Sequence, residues 1–192
     1  MKKIMAMRFL ILSVIGLGIV ATVALNPVIS HKTTVIVTGE AVFNATKIEQ
    51  STVLVVMPDV GLGSGVAISK HMILTARHCI AKKVYAQLQD GTRLTTQNVV
   101  LLGDLDAAVV VVKEELTSFV ECGKTPIAPS RTWIFARIVG EMEGPSTFGW
   151  TQGTVATVKD PDGDMLLNQA GFPGCSGGGV FNDQGKLVGI LV

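Results

Sequence analysis

From residue 51 onward, apolar and polar positions run in short bursts broken by glycine, proline and aspartate, which is the pattern of strands joined by tight turns. Residues 52–57 are almost wholly apolar and stop at Pro58-Asp59, so they read as a buried strand. Gly61-Leu62-Gly63-Ser64-Gly65 follows, then 66–69, a turn at Lys70-His71 and a returning arm at 72–76, together a hairpin. Residues 84–89 alternate, Asp90-Gly91 turns the chain, and 93–102 return as another strand. The apolar stretch 107–112 predicts one more, entered through Asp104 and Asp106. Residues 114–130, with Cys122, Pro126 and Pro129, read as loop. A second set of strands is expected at 133–140, at 151–159 paired with 165–168 around the turn 160–164, at 179–181, and at 186–192 after the turn 182–185. No 20–50-residue repeat is visible. The expected class is all-β.

The N-terminal pattern differs. Lys2, Lys3 and Arg8 precede an uncharged apolar run at 9–25, close to the ~20 residues that span a bilayer as a helix. Residues 1–25 therefore read as a hydrophobic helix, either a cleaved signal peptide or a signal anchor, with the working domain exported in both cases. A membrane contact through residues 9–25 follows from the anchor alternative. Residues 26–50 read as a linker and a first edge element, containing His31 and the N-glycosylation pattern Asn44-Ala45-Thr46.

Composition narrows the classes. The chain has 192 residues, 48% hydrophobic and 16% charged, which argues against disorder and fits one domain or two small lobes. Its 21 glycines suit many short strands. The formal charge is +1, and the three leading cations account for more than that, so no basic field points to nucleic acid. Cys79, Cys122 and Cys175 allow one internal bridge at most, without saying which. Neither Cys-x-x-Cys nor His-Glu-x-x-His occurs, so no metal site is expected and nothing requires a cofactor. The aspartates at 160, 162 and 164 bring calcium to mind, but their spacing departs from the helix-flanked calcium loop. The glycines at 61, 63 and 65 lack the following helix that a dinucleotide loop needs.

Three stretches carry candidate chemistry. In Phe172-Pro173-Gly174-Cys175-Ser176-Gly177-Gly178, a serine among glycines sits where a tight turn can expose a hydroxyl and aim backbone N–H groups at one point. Such converging donors stabilise an oxyanion, each worth about 3–4 kcal/mol of transition-state stabilisation. Ser176 is the candidate nucleophile, with the N–H groups of Ser176 and Gly174 as the donors. A serine needs a base. His78, at a strand end in Leu74-Thr75-Ala76-Arg77-His78-Cys79, is well placed to enter a cleft, whereas His31 and His71 fall in a linker and a turn. Asp104 and Asp106 stand at the threshold of an apolar strand, where a partly buried carboxylate needs a partner such as a histidine N–H. Each feature alone has a plainer explanation: a glycine loop, a structural histidine, a turn aspartate.

Taken together, His78, Asp106 and Ser176 stand in an order that resembles the trypsin/chymotrypsin-like serine peptidases, particularly their bacterial HtrA-like branch. The resemblance rests on Gly63 to Ser69 with Ile73 to Cys79, on Asp106-Ala107-Ala108-Val109, and on Pro173 to Gly178 with Leu187-Val188-Gly189-Ile190. It covers residues 51–192 and implies two antiparallel six-stranded β-barrels, at about 51–125 and 131–192, with the active site between them. It implies a Ser176–His78–Asp106 triad that hydrolyses peptide bonds of a protein or peptide substrate through an acyl-enzyme. Ala170 would lie at the base of the specificity pocket, where an uncharged residue disfavours Arg or Lys. Viral relatives use a cysteine nucleophile, but the family frame puts Ser176 in that slot and Cys175 in the variable one. Cys79 follows the histidine as in animal trypsins, while the upstream cysteine expected near Gly65 is missing. The family's chain continues beyond the position of Val192 into the substrate-binding strand. Here the chain is either a fragment, or the second barrel is abbreviated or completed by other means. The alternatives to an enzyme are a secreted or membrane-tethered binding module on the same fold, and a β-domain whose motifs agree by chance.

Overall fold

The computed structural model describes residues 43–138, 147–157, 165–168 and 171–192 in full, and the strand backbones at 10–15, 18–23 and 33–37. His31, Ala170 and the 160–164 turn lie outside the described residues. The chain divides into two units, Met1–Val42 and Phe43–Val192.

In the first unit β1 (Leu10–Ile15), β2 (Gly18–Val23) and β3 (Thr33–Val37) form an antiparallel meander. This corrects the expectation of a hydrophobic helix over residues 1–25. The run is rich in isoleucine and valine, whose branched side chains favour extended backbone, and Gly16 and Gly18 interrupt any helical stretch. Among the described residues no helix is long and apolar enough to cross a membrane.

The second unit opens with α1 (Ala45–Ser51), where a linker is expected from the sequence. Asn44 starts it by accepting the Lys47 N–H at 2.9 Å, and the Ser51 and Thr52 hydroxyls bond back to the Lys47 and Ile48 carbonyls. Its buried Ile48 anchors it to the core.

The first sheet has six antiparallel strands in the order β7-β4-β5-β6-β9-β8, built from β4 (Thr52–Met57), β5 (Gly61–Ala67), β6 (Met72–Thr75), β7 (Tyr85–Gln87), β8 (Thr96–Leu101) and β9 (Ala108–Val112). All six residues of β4 are buried, as expected of an apolar strand covered on both faces. The sheet curls until its ends meet: the Leu94 N–H donates to the Ala86 carbonyl, Arg93 pairs with Gln87, and the Thr96 hydroxyl reaches the Val84 carbonyl. Val53, Ala67, Ile73, Ala86, Val110 and Val112 pack inside this barrel.

The second sheet has five described strands in the order β12-β11-β10-β13-β14, from β10 (Ser130–Ile138), β11 (Thr147–Thr157), β12 (Leu166–Asn168), β13 (Gly179–Phe181) and β14 (Leu187–Ile190). Among the described residues that is one strand fewer than the six that the family resemblance implies. Its alternation sorts two faces. Ile134, Ala136 and Val180 pack on one with Cys175. Phe135, Phe181 and Leu187 point the other way, into a cluster with Ile48, Val66 and Val120 that joins α1 and the two sheets. The segment between the sheets is tied down as well, with the Leu187 N–H donating to the Glu121 carbonyl and the Gly123 N–H to that of Leu187.

Candidate active site

Strand β5 is the ruler of the site. Its pairing with β6 ends at Gly65 opposite Thr75, so its earlier residues project past the end of β6. There the chain from β6 bends through Ala76 into a single 3-10 turn, Arg77–Cys79, that carries His78. The next stretch of β5 is met by the serine turn: the Ser64 N–H donates to the Ser176 carbonyl at 2.7 Å. Histidine and serine are thus both indexed against neighbouring residues of one strand. Cys79, beside His78, lies with its Sγ 3.6 Å from the Ser176 carbonyl oxygen.

Asp106 precedes β9, the neighbour of β6, and takes hold of His78 twice. One carboxylate oxygen lies 2.6 Å from the ring Nδ1 and the other accepts the His78 backbone N–H at 2.9 Å. Partial burial opposes its ionisation, but the bonds from the His78 ring and backbone N–H, the His78 charge and the Arg77 N–H outweigh that and hold the carboxyl below the usual range. Both side chains keep an exposed flank, with 47% of the His78 side chain and 42% of that of Asp106 accessible. Asp104 is exposed, and the His78 ring bonds to Asp106 instead. The Arg77 guanidinium ties the intervening loop by donating to the Gly103 carbonyl.

The serine turn is shaped by glycines. Gly174 and Gly177 have φ of +92° and +83°, a left-handed backbone that side-chain-bearing residues rarely adopt. Gly177 also has no room, since a Cβ there would lie 2.1 Å from the Ser64 carbonyl oxygen and 2.3 Å from the Thr75 hydroxyl. The Cys175 N–H turns back to the Phe172 carbonyl, and the Gly177 N–H to that of Leu191. Among the described residues, nothing takes the N–H groups of Gly174 and Ser176. Ser176 itself is half-buried.

All three cysteines are free. Cys175 is buried, and its thiol bonds to the Arg137 carbonyl at 3.2 Å, away from the role of an exposed nucleophile. Burial pushes the Cys79 thiol up to about 11, with a bond to Thr75 opposing and Asp106 reinforcing the rise. The residue facing that thiol is Gly63, whose Cβ would lie 2.5 Å from it; Gly65 faces Ile73 and Val55 instead. No group of three or more acidic, histidine or cysteine side chains that could hold a metal occurs among the described residues.

The comparisons with known proteins bear on this geometry. The family model described as "Trypsin-like peptidase domain" matches residues 63–190. The chain belongs to that family. This trypsin-like domain is 30% identical over 141 residues to a probable periplasmic serine endoprotease, DegP-like, of Hahella chejuensis. That match takes in 67% of the chain and 29% of the relative, so the chain spans less than a third of that relative's length. Among solved structures, the inactive form of Rv3671c from M. tuberculosis superposes with a TM-score of 0.62 at 19% identity, over 76% of this chain and 75% of that one. The serine endoprotease from Yersinia pestis gives 0.61 at 22% identity, over 76% and 54%. Both likenesses are of fold: two curled antiparallel sheets of trypsin-like type.

One contributor went unassigned in the sequence. Ser64 lies within the Gly-Ser-Gly stretch, but only the fold puts its polar atoms against the serine turn. A buried hydroxyl in an otherwise apolar and glycine-rich strand is the signal that marks it.

Proposed function

We propose that this trypsin-like domain is a serine endopeptidase in which Ser176 attacks the scissile carbonyl, His78 takes and returns the proton, and Asp106 sets the tautomer of the imidazole. The observation that carries this reading is the double hold of Asp106 on His78 beside a glycine turn that carries Ser176. With Nδ1–H donating to the carboxylate, Nε2 is left as the basic nitrogen, and the anion of Asp106 stabilises the imidazolium formed on proton transfer. The N–H groups of Gly174 and Ser176 would receive the oxyanion of the tetrahedral intermediate, which collapses to an acyl-enzyme that water then hydrolyses.

The substrate class is a protein or peptide, and Ala170 supports a preference for small or medium apolar side chains before the cleaved bond. A peptide-library digest cut mainly after Arg or Lys would overturn that preference. Export is inferred from the cations ahead of the apolar run at 9–25 and from the periplasmic designation of the Hahella relative. Recovery of the full chain in the cytoplasmic fraction of an expressing bacterium would count against export. The activity is tested by labelling with a fluorophosphonate. The native chain should take up the probe while Ser176→Ala and His78→Ala do not. A folded native chain that stays unlabelled would instead support the binding-module alternative.

A further inference from the structure

Ser64 is fully buried, yet every polar atom it has is engaged, and three of its four bonds cross to other parts of the fold. Its N–H donates to the Ser176 carbonyl at 2.7 Å and its carbonyl accepts the Thr75 hydroxyl at 2.7 Å. Its own hydroxyl accepts the Arg137 N–H at 2.9 Å and donates to the Gly174 carbonyl at 2.8 Å. The two hydroxyl bonds fix each other's direction. Because the Arg137 N–H, from β10, points at the oxygen, the single hydroxyl proton is left for Gly174.

Gly174 is where such a hold matters. With φ at +92° and no side chain, its peptide planes turn easily, and in the proposed mechanism its N–H must face one point in space. Its neighbour's N–H is turned inward to Phe172, which limits the turn from one side. The Ser64 hydroxyl holds the other end of that same Gly174–Cys175 peptide by pinning the Gly174 carbonyl.

We propose that Ser64 is a positioning residue for the reaction: its hydroxyl locks the Gly174–Cys175 peptide, and so fixes one side of the Gly174 Cα from which the N–H is presented to the oxyanion, while its backbone N–H sets the depth of Ser176. The inference rests on the triad reading above. It assigns to the first sheet a share in shaping an oxyanion hole that belongs, by chain order, to the second. Removing the hydroxyl takes the Ser64 acceptor from the Arg137 N–H and the Ser64 donor from the part-buried Gly174 carbonyl, and the glycine turn relaxes in response. The loss falls on the rate of the chemical step and not on initial binding, because the misplaced donor acts on charge that develops only in the transition state.

The test is a concentration series of fluorophosphonate labelling on the full-length chain, which separates the limiting rate of Ser176 modification from the affinity of the initial complex. Folded fraction is read in parallel by circular dichroism. Ser64→Ala should lower the limiting rate per folded molecule by about ten- to a hundredfold, the range expected of a misplaced catalytic group, with little change in apparent affinity. Ser64→Cys keeps the shape but has only a weak donor and acceptor, so it should behave like Ser64→Ala and carries the test if the alanine variant does not fold. Ser64→Thr, which keeps the hydroxyl, should stay close to the native rate. An unchanged limiting rate in folded Ser64→Ala or Ser64→Cys overturns the proposal, as does Ser64→Thr labelling as slowly as Ser64→Ala. A native chain that takes up no probe removes the triad reading and the Ser64 role together, whereas a labelled native chain with equally fast variants removes only the latter.

Discussion

His78 and Asp106 flank the neighbouring strands β6 and β9 of one sheet, and they are oriented there by two bonds that one carboxylate accepts and by a guanidinium tying the loop between. The serine turn belongs to the other sheet and is held from outside it, by Ser64 of β5, and from behind by Leu191. The His78–Asp106 pair is therefore a property of a single barrel, and the position of Ser176 is a property of how two sheets meet. Changes in the first region should act through charge and tautomer, those in the second through backbone geometry.

That contrast can be broken most severely at the Ser176 hydroxyl. Ser176→Ala should lower peptide hydrolysis on the order of a millionfold while leaving the melting temperature close to native, measured by single-turnover assay and thermal denaturation. Asp106→Asn comes next. An amide reverses the donor and acceptor facing the imidazole, so turnover should fall about ten-thousandfold, while Asp104→Asn should be nearly silent. Equal losses in the two variants would remove the assignment of Asp106. Gly177→Ala probes the other region: the new methyl meets the Ser64 carbonyl and the Thr75 hydroxyl at a left-handed φ, so the turn must leave β5. Fluorophosphonate labelling should slow about a hundredfold, the cost of misplacing a reacting group by roughly 1 Å.

Acid sharpens the same comparison. Because the Asp106 carboxyl titrates lower in the folded chain than in the unfolded one, its contribution to stability is present above the unfolded value of about 4 and is lost as pH falls through the folded one. The stability gap between the native chain and Asp106→Asn should close below about pH 4, read from melting curves across the acid range. The smallest effect concerns the thiols. Iodoacetamide near pH 7 should modify exposed Cys122 and spare buried Cys79, whose pKa of about 11 leaves almost no thiolate. Fluorophosphonate labelling should survive the modification, because Cys122 lies in the segment between the sheets.

Much of this was legible in residues alone. The strands of the peptidase domain follow from alternation and turn chemistry, and the β4 run and the hairpin at Lys70-His71 stand where period and breakers put them. What escaped had weak or competing local signals. The helix at Ala45–Ser51 is two turns long and rests on one capping asparagine and a buried isoleucine, too little for a periodicity to register. The apolar N-terminal run satisfies the composition of a spanning helix and the propensity of strands alike, and the described backbone is extended. Gly63 and Gly65 are indistinguishable in sequence, and only the strand's pleat decides which of them faces Cys79.

By itself the sequence determined the family resemblance, the succession of strands along residues 51–192 and the residue types able to do acyl-transfer chemistry, because these depend on patterns a few residues long. Tertiary structure decided between Asp104 and Asp106 as the partner of His78, set Cys175 into the core, and brought Ser64 against a turn 110 residues away. Those outcomes depend on where strands of different sheets end in space, a long-range balance of packing and buried hydrogen bonds that no local pattern encodes.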